Sequence, residues 1–117
     1  MRAPGRFVAV RSVTLDSTGS GSVTVAPSGT DWLVLLTTVS VATATKKPVA
    51  DLTLNNEATP YESTLSGDRD VSDTRHLVMA GDTITATWTG GDPGAVATLR
   101  VTGIQAEAGR GVGLLGG

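Results

Sequence analysis

An all-β fold is predicted by three features of the sequence. Side-chain polarity alternates with period two along most segments, Gly- and Pro-bearing turns recur at short intervals, and no stretch carries a helical period. Thr and Gly are abundant and Lys and Glu scarce, while the apolar content comes from Val, Leu and Ala rather than aromatic residues. Such residues suit pleated, half-buried surfaces and tight turns. At 117 residues the chain has the usual size of one domain and buries roughly two-thirds of its unfolded surface, enough for a core without staples. The expected architecture is a single antiparallel β-sandwich of about seven to eight strands, jelly-roll-like in topology.

The first strand is expected over Phe7–Leu15. Val8 and Val10 lie out of phase with Val13 and Leu15, so a bulge or strand switch near Arg11-Ser12 is predicted to restore the register. Ser17–Gly21 forms a turn, and Val23 and Val25 mark a second strand closed by Pro27-Ser28-Gly29-Thr30. Trp32–Thr43 is longer and apolar on both faces in its first half, as a central strand requires. Val49–Asn55 directs Ala50, Leu52 and Leu54 inward, and Asn55-Asn56-Glu57 turns the chain. Thr59–Leu65 reads as an edge strand guarded by Pro60, Ser66–Asp73 as a polar loop, and Arg75–Met79 as a short strand. The clearest alternation places Ile84, Ala86 and Trp88 on one face and Thr83, Thr85, Thr87 and Thr89 on the other. Gly90–Gly94 then supplies turn chemistry, and Ala95, Ala97, Leu99 and Val101 resume the inward phase. The two segments are expected to pair as a hairpin.

These elements divide the chain into a basic arm and first strand (1–15), a sandwich body (16–105) and a Gly-rich tail (106–117). Net charge is −2, yet the first eleven residues carry Arg2, Arg6 and Arg11 and no acid, so the remainder carries −5. A basic arm on an acidic body is suited to a neighbouring copy's acidic face. Assembly contacts are therefore expected at Arg2, Arg6 and Arg11, and at Gly109, Arg110, Leu114 and Leu115 in the tail. A pI near 5.1 without a basic stripe argues against a nucleic-acid partner. The longest apolar run, Trp32–Leu36, is far shorter than the ~20 residues of a membrane helix, so no membrane partner is expected. No signal-peptide block of adequate length follows Met1 before Arg11, so any export is expected to take another route.

Little in the sequence supports catalysis. The absence of cysteine removes thiolate nucleophiles and cysteine-based zinc sites. His76 is the single histidine; it lies in an expected strand with no nucleophile elbow, so no catalytic residues are assigned. Asp68, Asp70 and Asp73 on a Gly-containing loop are weak calcium candidates, because the spacing departs from known calcium loops and Arg69 intrudes. Trp32, Trp88 and Tyr61 are the candidates for a sugar-stacking platform. Trp88 shares its phase with Ile84 and Ala86 and Trp32 opens the most apolar strand, so both are expected in the core, which leaves Tyr61 as the carbohydrate candidate. Gly109–Gly113 lacks the context of a phosphate cradle, and no cofactor is expected.

Between Asp31 and Ile104 the chain resembles small β-sandwich virion proteins of tailed bacteriophages, notably those infecting actinobacteria. The resemblance is carried by Asp31-Trp32-Leu33-Val34, Gly67-Asp68-Arg69-Asp70, the stretch Gly81–Ala95, and Leu99-Arg100-Val101-Thr102-Gly103. It implies a non-enzymatic structural role in head decoration, a fibre or the minor tail, and it carries no functional residues across. The leading expectation is a capsid decoration or minor capsid protein, homo-oligomeric, held in the virion by copies of itself and a major capsid or tail protein. The alternative is a minor tail or envelope-carbohydrate-binding module for host recognition.

Overall fold

The computed structural model describes residues 5–107. They form nine strands: β1 (Gly5–Thr14), β2 (Gly21–Val25), β3 (Thr30–Val41), β4 (Val49–Leu54), β5 (Glu62–Ser66), β6 (Arg69–Ser72), β7 (His76–Val78), β8 (Ile84–Thr89) and β9 (Val96–Glu107). No helix occurs among the described residues. One sheet has the order β1-β9-β3-β6, with β7 also on β3; the other has the order β2-β8-β4-β5. Every pairing is antiparallel. β6 pairs with Thr37–Ser40 and β7 with Trp32–Val34, so the two short strands lie end to end along one edge of β3.

The alternating residues account for the core. Ala50, Leu52, Ile84, Ala86 and Trp88 from the four-stranded sheet are fully buried, as are Val34, Val39, Ala97, Leu99 and Val101 from the five-stranded sheet. Together these inner rows fill the space between two sheets, which in sandwiches is ~10 Å deep. Phe7 and Trp32 stack at 4.3 Å and 11° near one end. Both tryptophans are core residues, as expected from the phase of Trp88 and the apolar strand that Trp32 opens.

Four sequence expectations are revised. The strand count is nine because Ser66–Asp73 is not a loop: Arg69–Ser72 pairs with β3, and Ser72 is buried on its inner side. The segments around Gly90–Gly94 do not pair as a hairpin. β8 belongs to one sheet and β9 to the other, so the loop is an arch between layers. Alternation specifies which side of a strand faces the core but not which sheet the strand joins. β1 contains no bulge, for its register with β9 is unbroken from Gly5 to Thr14. Its inward set is Phe7, Ala9, Val13 and Leu15, whereas Val8 and Val10 face outward and are exposed. The bulge sits instead in β3, between Val34 and Leu36. Leu35 is the extra residue there, and it lets Trp32 and Val34 on one side, and Thr37 and Val39 on the other, all face inward.

Candidate functional site

The outer faces of the two sheets differ in chemistry. On the four-stranded sheet, Thr24, Thr85, Thr87, Thr89, Asp51 and Thr53 face outward, with Thr24 and Thr85 sharing a hydroxyl hydrogen bond of 2.8 Å. That surface is polar, as the alternation predicts. The five-stranded sheet is the reverse. Val8, Val10, Leu36, Val71 and Leu77 project from its outer face, each between 46% and 57% exposed. Register places Val8 beside Thr102 and Leu36 on the other side of Thr102, while Val10, Arg100, Thr38 and Val71 form the next row. Arg6, Arg69 and Arg100 stand on the same face, and none of its exposed residues is acidic. The face thus combines exposed apolar side chains with cations, while Leu33 and Ala106 on the same side form a small buried cluster with Leu35.

A groove of about 380 Å³ runs into this face. Arg6 and Val8 form one wall, Leu35 and Leu36 the other, and Arg100, Thr102 and Ile104 of β9 line it between them. Its shape follows from the β3 bulge, which pushes an additional leucine outward on the side opposite Val8. Sequence reasoning missed this face because outward Val8, Val10 and Leu36 imitate core residues. The signal available was the phase conflict within β1.

A second cluster occupies the edge where β5, β6 and β7 meet. Tyr61 meets His76 edge-on at 4.1 Å. The Tyr61 phenol oxygen and His76 Nε2 are buried without a well-formed hydrogen bond. Burial pushes the phenol up to about 12, opposed by the Thr37 hydroxyl and reinforced by the Glu62 charge. Burial holds the His76 imidazole below its ordinary value, with Glu62 opposing the shift. Glu62 itself accepts hydrogen bonds from Ser72 Oγ at 2.9 Å and Thr74 Oγ1 at 2.7 Å. The available hydroxyls thus serve a carboxylate, and none donates to His76 Nε2. The arrangement offers no activated nucleophile.

Of the carboxylates singled out in the sequence, Asp70 lies on β6 and is taken up by backbone groups. Asp70 accepts the backbone N–H groups of Ser66 at 2.9 Å and Val71 at 2.8 Å, which holds its carboxyl below the ordinary value. Among the described residues no three His, Asp or Glu side chains gather to hold a metal ion. Other carboxylates tie loops. Asp92 accepts the Thr45 and Lys46 N–H groups at 2.7 and 3.1 Å and the Thr45 hydroxyl at 2.6 Å, fastening the β3–β4 connection to the β8–β9 arch. Asp16 does the same within the β1–β2 turn through Thr18 and Ser20. These are structural duties.

Of the expected assembly residues, Arg6 lines the groove and Arg11 is exposed on β1. Arg2, Gly109, Arg110, Leu114 and Leu115 lie outside the described residues. Tyr61 is half-buried, with its ring edge against His76 rather than standing clear of the surface. β9 continues through Ala106 to Glu107. No helix among the described residues is long and apolar enough to cross a membrane.

No protein-family model and no curated protein matches the sequence. Among solved structures, the chain is similar in fold to a chain of the acidic stable capsid structure of Helicobacter pylori bacteriophage KHP30. The TM-score is 0.61 at 18% identity, over 91% of this chain and 94% of that one.

Proposed function

We propose that this chain is a non-enzymatic virion structural protein, an accessory or decoration protein of a phage capsid. The supporting observation is the near full-length fold similarity to a chain from a phage capsid structure. The surface chemistry agrees with it: one sheet face is polar, and the other presents exposed valines and leucines among arginines. We also read the nested strand orders as a jelly roll, with β6 and β7 acting as one interrupted strand. The partners under this reading are a major shell protein and other copies of the chain, and the location is the virion.

The test is to purify native particles of the phage that makes this chain and separate heads from tails. Quantitative mass spectrometry then measures its ratio to the major shell protein. A capsid accessory protein is found on heads in fixed proportion to the shell. Recovery only with tails, or absence from particles, overturns the reading.

A further inference from the structure

We propose that the outer face of the five-stranded sheet docks on a different protein chain, at a surface where carboxylates flank exposed apolar side chains. The inference rests on the assembly reading above and states the chemistry of the partner that reading requires. Charge selects it. Register sets Arg6 beside Ile104, Val8 and Leu36 on either side of Thr102, and Arg100 between Val10 and Thr38. At ~3.4 Å per residue, Arg6 and Arg100 stand ~14 Å apart along the strands, with the apolar row of Val8 and Leu36 midway. Arg69 adds a third exposed cation opposite Ser40. Asp31, at the start of β3, offers no charge to this surface, because it is buried and accepts the Ala80 N–H at 2.7 Å. Exposed cations and aliphatic side chains without an exposed acid fit a partner that sets opposite charges around apolar contacts.

Another copy of this chain is a poor match. Pairing like faces sets Arg6, Arg69 and Arg100 against the same cations. The outer face of the four-stranded sheet offers mostly hydroxyls, with Val49 as its exposed aliphatic residue and Asp51 as its carboxylate. Asp51 already accepts the Thr64 N–H at 3.0 Å. Asp16, Asp82 and Asp92 stand in turns, where each accepts backbone N–H groups. The sequence outside residues 5–107 contains no Asp or Glu but adds Arg2 and Arg110, so the chain's own ends carry the wrong charge. Three arginines spread among aliphatic side chains are few for a nucleic-acid backbone. A groove of about 380 Å³ between Val8 and Leu36 suits a protruding side chain better than a flat lipid surface.

The test is co-sedimentation of the purified full chain with empty shells of the major shell protein from the phage that makes it, with circular dichroism to verify folding. Wild-type binding is expected to weaken as salt rises. Arg100→Glu and Leu36→Asp each weaken it at least ~10-fold, and Val8→Asp replaces Leu36→Asp if the latter fails to fold. Thr87→Glu, on the opposite face, leaves binding unchanged. Arg100→Lys then places an amine on the docking face. A carbodiimide condenses that amine with a touching carboxylate into an amide and takes up the released water as a urea. Mass spectrometry is expected to find the cross-link on an Asp or Glu of the shell protein. A wild type that does not bind, face variants that bind unchanged, or a cross-link that is missing or confined to copies of this chain overturns the proposal. Binding only to phosphatidylglycerol vesicles or duplex DNA overturns it as well. The capsid reading fails separately, by absence of the chain from native particles, whereas a chain found on heads whose face variants still bind sinks the docking proposal alone.

Discussion

The indole N–H of Trp88 donates to the carbonyl of Gly67 at 3.1 Å, joining the C-terminal end of β8 to the turn between β5 and β6. Trp88 is fully buried, and the Gly67 turn packs so closely on its ring that a Cβ at Gly67 would sit 3.0 Å from it. One side chain therefore fills the core and satisfies a backbone group at its edge. Trp88→Ala is expected to cost ~3–5 kcal/mol through lost burial and the cavity left behind. Trp88→Phe retains most of the volume but leaves the Gly67 carbonyl without its donor, at about 1–3 kcal/mol. Denaturant unfolding of the two variants checks both values and their order.

Tyr61 supplies the opposite case. Its phenol oxygen is buried without a good partner, so it contributes a desolvation cost with little return. Tyr61→Phe is expected to leave stability unchanged or raise it by up to ~1 kcal/mol. A loss above ~2 kcal/mol in urea unfolding would show that the hydroxyl is held by a strong bond.

Stability should decline with acid in two stages. His76 is held below its ordinary 6.5, so the unfolded chain takes up the proton first as pH falls. Stability begins to drop near that value and continues to drop until the folded imidazole is also protonated. Asp16, Asp70 and Asp92 are held below their ordinary 3.8 by the N–H and hydroxyl groups they accept. Their contribution is complete above 3.8 and disappears as pH falls through their folded values. Melting temperature followed from pH 8 to pH 2 should show both stages, and His76→Gln should remove the first alone. Asp92→Ala should lower the melting temperature at neutral pH and expose the β3–β4 connection to proteolysis.

Gly19 and Gly91 bring two turns back to back, with the Gly91 N–H donating to the Gly19 carbonyl at 3.0 Å. Gly19 has φ of +76°, and a Cβ there would collide with the Gly91 carbonyl. Gly19→Ala combines backbone strain with that collision and is expected to cost at least ~1 kcal/mol. A thermal melt of the variant measures it.

Much of the sandwich was legible because Ile84-Ala86-Trp88 and Ala97-Leu99-Val101 alternate without interruption. Their pairing was not legible, since an arch and a hairpin impose the same alternation on their flanking strands. The β3 bulge was hidden because Trp32–Leu36 is apolar at every position, so no phase break was visible. Its counterpart in β1 was visible but pointed to the wrong cause: Val8 and Val10 signal an open face, not a shifted register. β6 escaped notice because Asp70 turns its carboxylate to backbone N–H groups, which leaves a short polar strand resembling a loop. The exposed apolar face depends on which strands share a sheet, and that follows from topology alone.

Under the proposed capsid role, the most direct measurement is a cryo-electron microscopy reconstruction of the head of the phage that makes this chain. That role predicts sandwich density on the shell with Val8, Val10, Leu36, Val71 and Leu77 covered by another protein chain. A head whose attached sandwich leaves that face open to solvent, or one that carries no such density, contradicts it.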